Sequence, residues 1–341
     1  MNIKYIAKLS GVSTTTVSRV LNDSPYVSDK TREKVLQVIE ENDYIPNKIA
    51  RNLHKQFSNK VGVIVADISN EFFSSAISGI SQVMDDNGFQ VLFYNTDEDL
   101  KKESKALYST FEERLSGLII SPVSSKDKNT LEKLKKLKDK MEVPIVLLDR
   151  DIEGINLDAV FVDNGFGSKR AVNALIEEGH ENIAIITGPI TSTPGNYRYR
   201  GYIDALKENN LPIKEEYIVS GDFKISMAYE KTRELLNLKN PPTAIFLSNN
   251  MTSLGALKYL KEKGYKIGED ISIIGFDEIN PFKVIEYSFS YVGRDAVEQG
   301  KIAAEVLLDR IDKINQGISY ETQRIVLDCF LSLNGSEKIS K

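Results

Sequence analysis

The chain has 341 residues, which is too long for one small domain and sufficient for several. Hydrophobic residues make up 41% and charged residues 27%, as in ordinary globular proteins. The sequence has no run of about 18 apolar residues and no apolar signal-peptide segment, so we expect a cytoplasmic protein without a membrane span. A single cysteine, Cys329, excludes an internal disulfide, and only His54 and His180 could add imidazole ligands to a metal site.

The net charge of −5 is unevenly distributed along the chain. Residues 1–60 hold ten lysines and arginines against six acidic residues, which gives +4 and leaves −9 for the remainder. A basic segment on an acidic body favours contact with phosphates at one end only. The alternative is chance asymmetry of a solvated surface, and charge alone does not decide between the two.

The stretch from Tyr5 to Asn22 predicts two short helices joined by a tight turn. Gly11 suits the turn because glycine adopts backbone angles closed to other residues, and Ser13 stands where a helix N-cap belongs. The second helix has an apolar series at helical spacing, Val17, Val20 and Leu21. Its other face carries side chains that can reach base edges or phosphates: Thr14, Thr15, Ser18 and Arg19. This layout is that of a helix-turn-helix, whose second helix enters the DNA major groove, and a generic helical hairpin is the alternative.

A third helix is predicted after Ser28, with apolar residues on its core face: Val35, Leu36 and Ile39. The motifs that carry a resemblance are Gly11-Val12-Ser13, Thr16 to Asn22, Val27-Ser28, Thr31-Arg32 and Tyr44-Ile45-Pro46-Asn47. Together they closely resemble the DNA-binding headpiece of the LacI/GalR (lactose-repressor) family. We expect three residues to read base edges, Thr14, Thr15 and Arg19. We expect six to hold phosphates: Ser13, Thr16, Asn22, Tyr26, Tyr44 and Asn47.

Residues 48–60 are predicted to link this headpiece, residues 1–47, to a core of residues 61–341. A short apolar series in the linker allows one or two helical turns, which are marginal in water. In the resembled family the segment is a hinge helix, and a leucine at the position of Leu53 wedges into the minor groove. A plain linker residue that packs on the body is the alternative for Leu53.

From Val61 onward, short apolar strands alternate with amphipathic helices in two successive runs. Near-continuous apolar strands separated by helices indicate parallel sheets covered on both faces, so we predict two doubly wound lobes. The resemblance extends to periplasmic-binding-protein-like repressor cores and implies that the chain crosses back between lobes after Asp277. We expect a first lobe of about 61–159 with 290–320, and a second of about 160–289 with 321–334.

Ligands of open α/β sheets bind beyond the carboxyl ends of the strands. Those ends here carry carboxylates, amides, arginines and aromatic residues, which suit sugar hydroxyls and a pyranose face. They hold no Ser/His/Asp set, because His180 precedes a strand and His54 lies in the linker, so no catalytic residue, metal or cofactor is predicted. The resemblance implies a carbohydrate effector between the lobes, contacted by Phe72, Phe73, Asp149, Arg198, Phe223 and Asn250. We expect Asp277, which also follows a strand, to contact it as well. The alternative for each is a strand-end cap or surface loop residue.

Two departures from the family pattern change the expected charge of this cleft. Asn250 stands where the family usually has aspartate, and Arg294 falls near a position that is usually glutamine. One negative charge fewer and one positive charge more favour a phosphorylated or acidic sugar over a neutral one.

Two other classes of protein fit less well. A nucleotide-binding enzyme needs a glycine-rich motif, but Gly300-Lys301 lacks the P-loop glycine at position 295, and Ile302 replaces the required Ser/Thr. A secreted sugar-binding protein shares the two-lobed body but would need a signal peptide in place of the helix-turn-helix. We therefore predict that the protein is a repressor of carbohydrate metabolism genes and not an enzyme. It binds a pseudo-palindromic operator as a homodimer, and no motif indicates a protein co-repressor.

Overall fold

A computed structural model describes residues 3–21, 24–42 and 59–338 of the chain. The chain divides into two compact units, residues 1–58 and residues 59–341, which are treated separately below. Most of the predicted linker therefore lies outside the described residues. No helix in the described ranges is long and apolar enough to cross a membrane.

The headpiece consists of α1 (Ile3–Ser10), α2 (Thr14–Leu21) and α3 (Asp29–Glu41). Gly11 ends the first helix with φ +66°, and the Ser13 hydroxyl accepts a hydrogen bond from the Thr16 N–H at 3.1 Å, which caps α2. Ser28 caps α3 in the same way. The predicted turn and both caps are thus confirmed. The three helices enclose a small apolar core: Ile6, Ala7, Val17, Val20 and Val35.

One predicted core residue of the headpiece is misplaced. The side chain of Leu36 is 47% exposed, whereas Val38 and Ile39 pack partly against the core beside Val35. Positions 35, 38 and 39 form the i, i+3, i+4 stripe of a helix, and position 36 lies about 100° away from it. The prediction that Leu36 faces the core is therefore wrong.

The larger unit alternates strands and helices as predicted. Its strands are β1 (Lys60–Val65), β2 (Gln90–Asn95), β3 (Gly117–Ile120), β4 (Ile145–Leu148), β5 (Asp158–Val162), β6 (Ile183–Thr187), β7 (Ile218–Ser220), β8 (Ala244–Leu247), β9 (Ser272–Phe276), β10 (Ser290–Gly293), β11 (Arg324–Leu327) and β12 (Phe330–Ser332). Its helices are α4 (Glu71–Asp86), α5 (Leu100–Glu113), α6 (Lys128–Met141), α7 (Asn164–Glu177), α8 (Thr193–Glu208), α9 (Ile225–Leu236), α10 (Asn250–Lys263), α11 (Asn280–Val284) and α12 (Ala296–Gln316), with a 3₁₀ turn at Glu215–Tyr217.

These elements form two six-stranded sheets. The first has the order β11-β5-β4-β3-β1-β2 and is parallel throughout. The second has the order β12-β10-β9-β8-β6-β7 and is parallel except for β12. The central strands are buried on both faces, as their uninterrupted apolar runs predict. The prediction of a helix-turn-helix headpiece and two doubly wound lobes is confirmed.

The predicted crossings between the lobes are wrong in two places. Strand β10, at 290–293, pairs with β9 and completes the second sheet rather than the first, while β11, at 324–327, pairs with β5 and extends the first sheet. The first lobe therefore combines 59–162 with 296–327, and the second combines 163–293 with 328–338. Only two residues separate β11 from β12, yet the two strands lie in different sheets. Spacing along the chain therefore does not reveal where it crosses between the lobes.

Helices α4 and α12 pack closely in the first lobe because each presents a glycine to the other. A Cβ on Gly79 would lie 2.1 Å from the Val297 carbonyl oxygen, and one on Gly300 would lie 2.0 Å from that of Ala76. Such close approach leaves no space for any side chain at either position. It also fixes the N-terminal ends of both helices, which border the cleft between the lobes.

Candidate functional site

The outer face of α2 presents the predicted DNA contacts. Thr14, Thr15 and Arg19 are exposed, and Thr16 and Ser18 are half-buried. The Ser13 and Thr16 hydroxyl groups are 2.9 Å apart at the first turn. Exposed N–H groups and hydroxyls at a helix N-terminus attract phosphate, so this end of α2 suits a DNA backbone.

The loop between α2 and α3 extends this polar surface. Tyr26 is 85% exposed there, and Arg32 donates a hydrogen bond to the Ser24 carbonyl oxygen at 2.7 Å, which ties the loop to α3. A tyrosine held so far from the core is available to a phosphate. The remaining predicted DNA contacts lie outside the described residues: Asn22, Tyr44, Asn47 and Leu53.

In the larger unit, the carboxyl ends of the two sheets meet at a small cavity of about 20 Å³. Six of the seven predicted effector residues line it: Phe72, Phe73, Asp149, Arg198, Phe223 and Asp277. Seven further residues complete the lining: Asp67, Asn70, Glu98, Arg150, Pro194, Asn249 and Arg294. The structure thus brings together residues separated by more than 200 positions in the sequence.

Two aspartates occupy equivalent positions in the two lobes. The Asp149 N–H bonds to the Val160 carbonyl at 3.0 Å, and the Asp277 N–H bonds to the Val292 carbonyl at 2.9 Å, so each ends a central strand. Both have left-handed backbones, with φ +65° and +68°, as does Phe223 with φ +56°. Each such residue costs about 1–3 kcal/mol, and strain of this kind concentrates at binding sites.

Arg294 joins these two aspartates. Its Nε donates to Asp277 Oδ1 at 2.7 Å, and its Nη1 donates to Asp149 Oδ1. The guanidinium lies over the Phe72 ring, 3.5 Å from the ring centroid. The positive charge that the sequence placed near the cleft is therefore already neutralised by two buried carboxylates.

Arg198 is buried and incompletely partnered. Its Nε donates to Asn164 Oδ1 at 2.7 Å and its Nη1 to the Ser248 carbonyl at 2.6 Å, while Asp277 is 3.8 Å away. Its Nη2 has no hydrogen-bond acceptor in the described part of the chain. Burial lowers the pKa of Arg198 to about 10, because Asp277 offsets only part of the desolvation. The cleft therefore contains a cation with spare donor capacity.

Arg150 was not among the predicted contacts, although it directly follows Asp149 at a strand end. Glu98 accepts two hydrogen bonds from its guanidinium, at 2.8 and 2.6 Å, and the rings of Phe73 and Phe223 lie within 6 Å. Its Nε has no acceptor within residues 59–338. Position after an apolar strand could have identified Arg150, whereas nothing local identifies Glu98, 52 residues earlier.

Asn250, the seventh predicted effector residue, lies beside the cavity rather than in its lining. Its Nδ2 donates to Asn70 Oδ1 at 3.0 Å, and its Oδ1 accepts from the Met251 N–H at 2.9 Å. Asn70 also caps α4, so this amide pair connects the first lobe to the second. Direct contact between Asn250 and an effector stays a prediction.

Two family models match the chain. Residues 2–47 match the model of bacterial regulatory proteins of the lacI family. Residues 58–324 match the model of periplasmic binding proteins and the sugar-binding domain of the LacI family. Together they cover the headpiece and most of the two-lobed unit.

Three similar proteins illustrate the relation. A "Probable HTH-type transcriptional repressor ExuR" of Bacillus subtilis is 34% identical over 317 residues, 92% of each chain. The ribose operon repressor of Haemophilus influenzae is 30% identical over 329 residues, 96% of this chain and 97% of the relative. The structure of the lac repressor dimer bound to operator and the anti-inducer ONPF superposes with a TM-score of 0.84 at 26% identity, covering 98% of both chains. The chain therefore belongs to the LacI family of bacterial regulatory proteins, and it is a DNA-binding transcriptional regulator rather than an enzyme.

Proposed function

We propose that this regulator is a cytoplasmic homodimer that represses carbohydrate metabolism genes and responds to an acidic sugar bound between its lobes. The proposal rests on one combination: an exposed, polar α2, and a buried cleft in which Arg150 and Arg198 each have a donor without an acceptor among residues 59–338. The first suits a DNA backbone and base edges, and the second suits a small anion that carries hydroxyl groups.

For the DNA side, we infer that α2 lies in the major groove and that Thr14, Thr15 and Arg19 contact bases. Their exposure on one face of α2 supports this role. Leu53, outside the described residues, is expected to open the central minor-groove step. Arg19→Ala should weaken specific binding by about 1–3 kcal/mol and relax sequence preference at its contacted base pair, as measured by competition between operator variants.

For the dimer, two observations are favourable. The lac repressor structure named above is a dimer bound to operator. In the second lobe of this chain, Val284 is 84% and Ile285 66% exposed beside an apolar groove of about 950 Å³. Large exposed apolar patches mark interaction sites, so we infer that this groove faces the second copy. Val284→Asp should shift the protein to a monomer in analytical ultracentrifugation.

For the effector, unpartnered guanidinium donors favour an anion. Arg198 and Arg150 line one cavity, and Arg198 Nη2 and Arg150 Nε have no acceptor among residues 59–338. Three of the cavity's carboxylates, Glu98, Asp149 and Asp277, are already paired with guanidinium groups. A carboxylate or phosphate on the ligand supplies those acceptors, and sugar hydroxyls suit Asp149 and Asp277.

A thermal-shift screen of the full chain tests this proposal. The matched probes are D-glucuronate against D-glucose, D-galacturonate against D-galactose, and glucose 6-phosphate. A ligand at about 100 times its dissociation constant adds roughly 2.7 kcal/mol of stability. Stabilisation by an acidic sugar, and not by its neutral partner, is the expected result. Equal stabilisation by the neutral sugars would contradict the anionic effector.

A further inference from the structure

The buried ion pair Arg294–Asp149 joins the two lobes. Asp149 directly follows β4 of the first lobe, whereas Arg294 directly follows β10, where the chain leaves the second lobe, and also bonds to Asp277 of the second lobe. Both partner side chains of the bridge are only 4% exposed. The other buried ion pairs of the first lobe, Arg150–Glu98 and Arg310–Asp158, each join residues of that lobe alone.

Among residues 59–338, the other hydrogen bonds across the cleft, which include the Asn250–Asn70 pair, involve at most one charged group. The Ser125 N–H donates to the Thr191 carbonyl at 2.9 Å, and the Asp151 N–H donates to Thr193 Oγ1 at 2.9 Å. The Asn280 N–H donates to Glu71 at 3.0 Å. Such bonds exchange readily with water once the lobes part, because water offers equivalent donors and acceptors. The charged bridge is different, because breaking it leaves the buried Asp149 carboxylate without its cation, while Arg294 stays paired with Asp277.

Arg294 also fills the space that a ligand needs. The cavity of about 20 Å³ holds no more than a water molecule. A second pocket of about 330 Å³ adjoins it, and Phe72, Asp277 and Arg294 line both spaces. Sites for small molecules usually measure about 300–1,000 Å³, so a monosaccharide could occupy the 20 Å³ cavity beside Asp149 and Arg198 only if Arg294 moved and joined it to the larger pocket.

We propose that Arg294 is an internal latch: its guanidinium occupies the effector's place, holds the lobes together in the ligand-free protein, and selects ligands that carry both an anionic group and hydroxyls. The selectivity part rests on the effector cleft of the proposed function. The latch part depends only on the Arg294–Asp149 bridge.

The selectivity follows from what the ligand must replace. When Arg294 moves, Asp149 and Asp277 lose its donors and the guanidinium loses its acceptors, which is unfavourable unless the ligand takes their place. A sugar acid supplies hydroxyl donors to both aspartates and a carboxylate to the guanidinium. A neutral sugar supplies the donors but no anion, and inorganic phosphate supplies the anion but few donors. Only the sugar acid supplies hydrogen-bond partners to all three groups that lose them when Arg294 moves: the two aspartates and the guanidinium.

The latch is tested by the distance between nitroxide labels on the two lobes, measured by dipolar EPR in the full chain. Lys126→Cys and Ile190→Cys place labels on exposed residues beside the Ser125–Thr191 contact. Cys329→Ser removes the native thiol.

In this background, Arg294→Gln is expected to shift ligand-free protein to longer label distances, and Arg294→Lys to shift it less. The matched control is Arg310→Gln, which breaks a buried arginine–aspartate pair inside one lobe and should leave the distances unchanged. Identical distances in Arg294→Gln and the wild type would overturn the latch.

Selectivity is tested by calorimetric titration with D-glucuronate, D-glucose and inorganic phosphate. We expect the wild type to prefer D-glucuronate over D-glucose by at least about 100-fold, and Arg294→Gln to reduce that ratio at least about tenfold. A ratio unchanged by Arg294→Gln would overturn the selectivity. If neither sugar binds the wild type, the proposed effector class is contradicted, while the label distances still decide the latch.

Discussion

The headpiece and the cleft both present polar side chains to a target, but with opposite exposure. In the headpiece, Arg19 and Tyr26 project from a core of five small apolar residues into solvent. In the cleft, Arg198 and Arg294 are almost completely buried and hydrogen-bonded by partners from distant strands. Exposed groups can contact a large partner of uniform charge, such as DNA, whereas buried groups can surround a small-molecule effector.

This difference has an energetic consequence. Exposed charges interact through water and are screened by salt, while buried charges are screened much less and must be paired. The headpiece can therefore gain or lose a surface charge at little cost to its fold. The cleft cannot, because each arginine there stabilises carboxylates that would otherwise be buried without a partner.

The largest expected effect comes from breaking the headpiece alone. Val17 is fully buried in its core, so Val17→Asp places a charge among apolar side chains that offer it no partner. We expect complete loss of DNA binding in a gel-shift assay, with the melting transition of residues 59–341 retained. Leu36→Asp, at an exposed position of α3, is the control for headpiece folding. Loss of the larger unit's transition in Val17→Asp would contradict independent units.

The next largest difference between the headpiece and the cleft should be in how salt affects their binding affinities. A dimer that neutralises about six phosphates loses roughly 10³-fold in DNA affinity between about 50 and 200 mM salt. Affinity for D-glucuronate should change less than about threefold over the same range, because its partners are buried. Fluorescence anisotropy and calorimetry measure the two affinities. An equally steep loss of sugar affinity would mean that the cleft recognises its ligand through exposed charges.

Replacing the guanidinium group of Arg198 should lower the affinity for the effector. Arg198→Lys keeps the charge but loses the Nη2 donor, which has no acceptor among residues 59–338, so we expect about 100-fold weaker binding of D-glucuronate by calorimetry. The control, Arg200→Lys, lies on the same helix with an exposed side chain and should bind normally. Unchanged affinity in Arg198→Lys would remove this residue from the effector site.

A substitution that disturbs the close packing of α4 against α12 should have a smaller effect. Gly300→Ala places a methyl group against the Ala76 carbonyl oxygen and should destabilise the larger unit by about 1–3 kcal/mol in urea unfolding. In Gly165→Ala the new methyl group meets nothing closer than 3.7 Å, so that variant should be neutral or slightly stabilised. Equal stabilities of the two variants would show that α4 and α12 can separate freely.

The smallest effect concerns a buried carboxyl in the first lobe. Glu103 accepts hydrogen bonds from Thr130 and from the Val123 N–H at 2.6 Å, but burial raises its pKa above the ordinary value. Because folding favours the protonated form, the free energy of unfolding falls as pH rises from about 4.3 through that raised pKa.

Glu103→Gln is neutral at every pH and escapes this loss. The stability of Glu103→Gln relative to the wild type should therefore rise between about pH 4 and pH 7 in urea titrations, whatever its starting value. The exposed control Glu132→Gln should show little change. A pH-independent difference for Glu103→Gln would mean that folding leaves the pKa of Glu103 unchanged.

Most of the headpiece and the order of the strands could be predicted from patterns among residues close together in the sequence. Gly11, Ser13 and Ser28 act on neighbours within a few residues, so their turn and caps could be predicted from spacing. The apolar runs likewise identified the central strands. Leu36 was misassigned because a stripe of 35, 36 and 39 and one of 35, 38 and 39 look alike until the partner helices are known.

Long-range pairing could not be predicted in this way. The sequence placed a positive charge near the cleft at Arg294 but gave no sign that Asp149, 145 positions earlier, would neutralise it. The same limit explains the misplaced crossings, because membership of a sheet depends on which strand lies alongside. Strand patterns identify strands, and only the folded chain identifies their neighbours.

The central claim is that an acidic sugar in the cleft controls DNA binding by the headpiece. It is tested most directly by anisotropy titration of the full chain on a palindromic fragment recovered by selection from genomic DNA, with and without saturating D-glucuronate or D-galacturonate. We expect one acidic sugar to change the DNA dissociation constant at least about tenfold, a coupling of about 1.4 kcal/mol, with no effect of its neutral partner and none in Arg198→Lys. Equal DNA affinity under all of these conditions would contradict the claim.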